Sequence, residues 1–199
     1  MKPYTDDQLE VDLRHALDDG DPERAAMLGA EVDRRDTKPE PVTLHAAALY
    51  YVSVGLRVFP LTPGTKIPFK GSRGCLDATS DPDRVTAWWT RTPEANIGIA
   101  TGHLVDVVDI DGLEGQTSRA DLWDKAFADI DAENLGKVST PTQGGMHVYV
   151  AADGTPNGTH LAPSVDYRGA GGYVVAPPSV TPDGAYRWLG PLRLTGDVA

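Results

Sequence analysis

The run VDVVDIDG, residues 105–112, constrains this chain more than any other segment. Its β-branched residues favour an extended strand. Successive side chains of a strand point to opposite faces, so Asp109 and Asp111 share a face at a spacing of about 7 Å. Asp106 falls on the other face. Two neighbouring carboxylates repel unless a proton or a cation intervenes. Hard divalent cations such as Mg²⁺ and Mn²⁺ take oxygen ligands, commonly a few carboxylates together with substrate phosphates. Taken alone, the segment reads equally well as a strand that turns into solvent at its Asp-Gly pair.

Two further segments join polar turns to strands. In STPTQGGMHVYV (139–150), Gly144 and Gly145 allow close backbone approach to a ligand, and His147 opens the next strand. Its imidazole, beside backbone N–H groups, can hold a phosphate; a plain hairpin with a surface histidine is the alternative. In SVDYRGAGGYVVAPPS (164–179), Asp166 precedes a glycine turn and Arg168 shares its face. A third carboxylate there completes a metal site, and a simple turn is again the alternative. The glycines of RGAGGYVV lack the spacing and the following helix of a dinucleotide fingerprint, and no GxxxxGK[ST] phosphate loop occurs.

Charge sharpens the picture. The 199 residues carry 29 acidic and 18 basic side chains, net -11, which argues against a general basic coat for nucleic acid. The distribution is uneven. Arg57 to Arg91 holds six basic residues against three acidic ones, whereas Asp106 to Glu133 holds nine acidic against two basic. A solvated surface of mixed sign and a site that joins cations to phosphates both fit that pattern. One cysteine, Cys75, makes no intrachain disulfide and no cysteine-rich zinc site. No apolar run is long enough to span a membrane, and the acidic N-terminus lacks the apolar core of a signal peptide, so a soluble intracellular protein is expected.

The chain divides near residue 42. Residues 5–18 place Leu9, Leu13, Ala16 and Leu17 at helical spacing, and a second helix is expected from about Pro22 to Arg35. TKPEPVT (37–43) reads as a linker. Residues 1–41 are therefore an acidic helical extension, and 42–199 the main domain. Within it, helices are expected over Thr43–Gly55, over SDPDRVTAWWTRTP with Asp81 as cap, and over Ser118–Asp131. Strands are expected at RVFPL, Asn96–Thr101, His103–Ile110, Lys137–Thr140 and His147–Ala151. Ser164–Tyr167 and Gly172–Val175 are expected to pair around RGAG, and AYRWLGPLRL to give a last strand and a tail. This mixture argues for an α+β (mixed α/β) fold with a partly antiparallel sheet flanked by helices.

The order of the three polar motifs, with AALYYVSVGLRVFPL, PGTKIPFKG, ATSDPDRVTAWW and NIGIATG before them, resembles the archaeo-eukaryotic primase superfamily. The likeness is closest to the bifunctional DNA primase/polymerase (prim-pol) domain of plasmid and phage replication proteins, over roughly residues 43–190. It implies a primase-type catalytic core. It also implies that Asp109, Asp111 and Asp166 are metal ligands for two Mg²⁺ or Mn²⁺ ions and that His147 contacts a nucleoside triphosphate. Thr140, Thr142, Gly144 and Gly145 become nucleotide or loop contacts; Arg168 beside Asp166 (nucleotide) and Lys66, Lys70 and Arg73 of the basic loop (DNA or phosphate) read as phosphate contacts or, equally, as solvated surface charges. Family members often carry Ser where Thr142 stands, and the hydroxyl is kept.

The implied partners are a primed or single-stranded DNA template, nucleoside triphosphates and a helicase domain or partner, in the cytoplasm of a bacterial host of a phage or plasmid. The inserted zinc loop of some relatives is not expected with one cysteine. A non-catalytic nucleotide- or DNA-binding module is the competing reading, and a metal-dependent phosphohydrolase a second. Trp88 and Trp89 are assigned to packing, Tyr149 and Tyr173 to the core or a sheet face. His15, His45, His103 and His160 show no ligand spacing.

Overall fold

Local chemistry sets the helix ends. The side chain of Thr43 accepts a hydrogen bond from the Ala46 N–H at 3.1 Å and opens helix α1, Leu44–Ser53. Asp81 accepts from Asp83 N–H at 3.0 Å and opens α2, Pro82–Arg91, with Pro82 in the first turn, where its missing N–H costs nothing. The computed structural model describes residues 43–115 and 134–194, with a few positions between 11 and 24. Chain contacts separate two compact units, Met1–Val42 and Thr43–Ala199. In the first unit the described positions 11, 12, 14–16 and 24 are helical, and Asp21 caps Arg24 through its carboxylate at 3.0 Å. The remainder of the two expected N-terminal helices, the linker and the helix expected over Ser118–Asp131 lie outside the described residues.

The second unit is α+β. Its strands are β1 (Val58–Leu61), β2 (Asn96–Ala100), β3 (Val105–Ile110), β4 (Gly136–Ser139), β5 (Met146–Ala151), β6 (Thr159–Ala162), β7 (Val165–Arg168), β8 (Tyr173–Ala176), β9 (Val180–Thr181), β10 (Gly184–Ala185) and β11 (Arg187–Trp188). A three-stranded sheet runs β1-β2-β8, a six-stranded sheet runs β11-β4-β5-β3-β7-β6, and β9 pairs β10. Every pairing between these strands is antiparallel. A 3₁₀ turn, Gly74–Asp77, lies between β1 and α2.

The main core is built by both helices, the three-stranded sheet and one face of the six-stranded sheet. Tyr51, Phe59, Trp89, Ile97, Ile99, Val107 and Tyr149 are buried there. Trp89 donates its indole N–H to the Ala95 carbonyl at 2.9 Å, which satisfies its polar edge inside the core. The opposite face of the six-stranded sheet buries Val108, Ile110, Val148, Val150, Val165 and Tyr167. Both faces of β3 are therefore apolar interior, and each fully buried Val or Ile contributes about 1.5–3 kcal/mol.

One expectation from the sequence is corrected. β7 and β8 do not pair around RGAG: β7 lies between β3 and β6, while β8 pairs β2 in the other sheet. The glycine segment is a crossover between sheets rather than a hairpin turn. Ala170 N–H is bound by the Thr155 carbonyl at 2.8 Å, and a Cβ on Gly169 would run into that carbonyl. Gly102 carries the other crossover, from β2 to β3, with φ +87° and no room for a side chain against the Ala170 backbone. Thr101 ties the two crossovers together: its N–H binds the Gly172 carbonyl at 3.0 Å and its hydroxyl the Gly169 carbonyl at 2.7 Å.

Candidate active site

Register assembles the site. Asp109 on β3 stands opposite His147 on β5 and opposite Asp166 on β7. His147 stands opposite Val138 on β4, and Asp166 opposite His160 on β6. One rung across the sheet thus reads Val138, His147, Asp109, Asp166, His160. Neighbouring strands lie about 4.8 Å apart, so the ladder itself places three ionisable side chains on one face beside Asp109. Asp111 follows just past the end of β3.

Arg168 sits two residues after Asp166, on the same face. Its Nη2 lies 2.9 Å from Asp109 Oδ2 and 3.2 Å from Asp166 Oδ2, and its Nε donates to Asp109 Oδ2 at 3.0 Å. One guanidinium therefore bridges two carboxylates through charge-assisted hydrogen bonds. His160 Nδ1 meets the other oxygen of Asp166 at 3.0 Å.

A cleft of about 420 Å³ opens over this rung. Asp109, Asp111, His147 and Arg168 line it, with Lys66, Thr140 and Thr142 from the flanking loops. Tyr173 and Tyr186 give it aromatic walls, and Asn157 and Cys75 reach its edge. Tyr186 packs its ring 5.7 Å from that of His147.

The electrostatics follow from burial. Burial raises the pKa of Asp109 above the usual carboxylate range despite the opposing guanidinium of Arg168, and the Asp166 charge adds to the rise. Asp111 is also raised, first by burial and then by Asp109. His147 is pushed down to about 3 by burial, so its imidazole is neutral. At 3.5 Å from Asp109 Oδ1, its Nε2 makes a polar contact there and not an ion pair. The His147 Nδ1 is buried and finds no hydrogen-bond partner among the described residues.

The donor set bears on a cation. Asp109 and Asp111 offer hard oxygen ligands on one face, and both hold charge at a cost that a divalent cation relieves. Among the described residues no three acidic, imidazole or thiol groups gather into one ligand cluster, because Asp166 is turned toward Arg168 and His160. The residues therefore fit a cation at the Asp109–Asp111 pair, with Arg168 standing between that pair and Asp166.

Other residues singled out in the sequence are placed differently. Gly144, with φ +81°, and Gly145 shape the turn: a Cβ on Gly144 would press on Leu113 and one on Gly145 on Thr140, and neither glycine lines the cleft. Arg73 is paired with Asp77 at 2.8 Å, and Lys70 is exposed outside the cleft lining. His160, which shows no ligand spacing in the sequence, faces Asp166 because of the β6–β7 pairing, and Tyr186 and Asn157 join the cleft without a sequence motif.

Among the described residues no helix is long and apolar enough to cross a membrane. No curated protein matches the sequence. The family model for the N-terminal domain of bifunctional DNA primase/polymerases matches residues 48–196, which contain every strand of the site. With its three polar motifs on one rung of one sheet, the chain belongs to the Prim-Pol family, whose function is tied to DNA priming and polymerisation.

Proposed function

We propose that residues 42–199 form a catalytic domain for metal-dependent, template-directed nucleotidyl transfer, and that residues 1–41 are a separate acidic extension. One observation carries the reading: residues far apart in sequence, Asp109, His147 and Asp166, share a single rung beside an open cleft. Asp109 and Asp111 would hold a Mg²⁺ or Mn²⁺ ion, joined by Asp166 once Arg168 releases it. Bound there, divalent cations would supply Lewis-acid activation and charge relief at the triphosphate. Arg168 and Lys66 meet the phosphates as fixed positive charges. His147, held neutral, would contact the triphosphate through its single N–H only when that proton is not turned to Asp109, and the Thr140 and Thr142 hydroxyls bind at the rim. The substrates are nucleoside triphosphates on a primed or single-stranded DNA template. A helicase domain or partner supplies unwinding, and the setting is phage or plasmid replication in a bacterial cytoplasm.

The Arg168 bridge favours a second reading, a nucleotide- or DNA-binding module without turnover, because it neutralises the carboxylates from within the protein. Labelled-nucleotide incorporation separates the two. The assay uses Mg²⁺ or Mn²⁺ with primed and unprimed template, beside an Asp109→Ala/Asp111→Ala double variant. Extension by the wild type alone supports transfer, and products on unprimed DNA extend it to priming. No incorporation with either cation leaves the binding module.

A further inference from the structure

The basic segment between Arg57 and Arg91 is only partly used by the cleft, which takes Lys66 from it. A second pocket, of about 280 Å³, lies within that segment. Its walls are Phe59, Pro60, Phe69 and Trp88, and its cationic residues are Arg84 and Arg91. The Arg84 guanidinium lies over the Trp88 ring, 4.7 Å from its centre, a cation–π contact at the pocket. Neither Arg84 nor Arg91 makes an ion pair among the described residues, and both are exposed. The one acidic lining residue, Asp77, is occupied by Arg73 at 2.8 Å and by the Arg73 N–H at 2.8 Å.

The sequence makes room for this pocket. Phe59 lies over Gly98, in the middle of β2, where a Cβ would come within 2.6 Å of the ring. Glycine inside a strand weakens it and marks a close approach; here it leaves room for the Phe59 ring beside the pocket. The pocket also shares a wall with the cleft. Phe59 packs edge-on against Tyr173 at 5.2 Å, and Tyr173 lines the cleft. The 3₁₀ turn gives Gly74 and Asp77 to the pocket and Cys75 to the cleft.

Aromatic walls with a guanidinium rim are the chemistry that binds single-stranded nucleic acid: bases stack on rings and phosphates meet arginines. We infer that this pocket takes an unpaired base of the single strand engaged at the neighbouring cleft, with Arg84 and Arg91 on the flanking phosphates. The inference rests on the template-directed reading of that cleft. The two arginines give this pocket a local positive excess over Asp77 in a chain of net charge -11.

The test is fluorescence anisotropy of the full 199-residue chain with a labelled oligodeoxythymidylate, without metal or nucleotide. Trp88→Ala is expected to weaken binding about tenfold, the scale of one lost base stack, whereas Trp88→Phe keeps most of it. Arg91→Ala, at an exposed position that leaves the core intact, weakens binding and flattens its salt dependence. Blunt duplex binds equally to wild type and Trp88→Ala. If Trp88→Ala does not fold, Arg91→Ala alone decides. Unchanged oligonucleotide affinity in Arg91→Ala and Trp88→Ala, equal losses for duplex, or no binding by the wild type overturns the inference. Trp88-dependent binding without nucleotide incorporation by the wild type would sink the catalytic reading and leave the pocket standing.

Discussion

Asp106 and Asp109 sit three residues apart on one strand and have opposite fates. Asp106 faces the second core, is fully buried, and is saturated: it accepts from Gly102 N–H at 2.7 Å, Asp153 N–H at 3.2 Å and the Tyr167 hydroxyl at 3.0 Å. Asp109 faces the cleft and has one cationic partner, Arg168, while burial raises its pKa. The same residue type serves as a structural clasp on one face and as an unfinished ligand on the other. Saturation by fixed backbone donors marks the first role, and charge left for a ligand to complete marks the second.

The largest effect that tests this contrast is on chemistry. Asp109→Asn keeps the shape and removes the charge. If the proposed transfer activity holds, incorporation falls ~10³-fold, the worth of several kcal/mol of lost cation chemistry. Stability moves the other way. Because folding raises the Asp109 pKa, the native carboxylate opposes folding at neutral pH, and this opposition fades as acid protonates the folded carboxyl. The melting temperature of Asp109→Asn at neutral pH is therefore equal to or above that of wild type. A large drop would erase the distinction between the two faces.

Asp106→Ala gives the converse result. It strands three donors in the interior and costs about 3 kcal/mol, read by urea unfolding, while activity per folded molecule persists. A smaller effect comes from His147. Between its ordinary value of about 6.5 and about 3, the unfolded chain binds a proton that the folded chain rejects. Stability therefore falls with acid through that window and is fully present above it. His147→Gln loses that part of the acid sensitivity, and unfolding free energies at neutral and mildly acidic pH decide it. The smallest effect belongs to the loop. Lys66→Ala lowers the slope of log affinity for single-stranded DNA against log salt by about 1, and Arg73→Ala by less, because Asp77 already holds that guanidinium.

Much of this contrast is written in the sequence. Alternation alone puts Asp106 across the strand from Asp109, as observed. The Asp81 cap and Pro82 start are equally local and are found as expected. What strand alternation does not contain is which strands meet. RGAG has the composition of a hairpin turn, yet it is held by Thr155 and carries the chain into another sheet, a decision made by contacts distant in sequence. The Arg168 bridge is legible only in part. Its shared face with Asp166 follows from spacing, but its reach to Asp109 needs the β3–β7 register. Trp88 and Trp89 were assigned to packing. Trp89 is fully buried, whereas Trp88 packs against the core with one side and lines a pocket with the other.

The rung of β5, β3 and β7 also defines how the chain can change length. A residue inserted or deleted within any of these strands shifts the register by one and turns that strand's site residue to the opposite face. A β-bulge, of the kind the β6–β7 pair carries between His160 and Ala162, is how a strand absorbs such a residue. The connections are governed otherwise. Between β5 and β6 the limit is set by contacts: Asp153 N–H holds Asp106 and the Thr155 carbonyl holds Ala170, so a change of length there disturbs the clasp and the crossover. The spacing of Asp109 from His147 and Asp166 is set by the ladder alone.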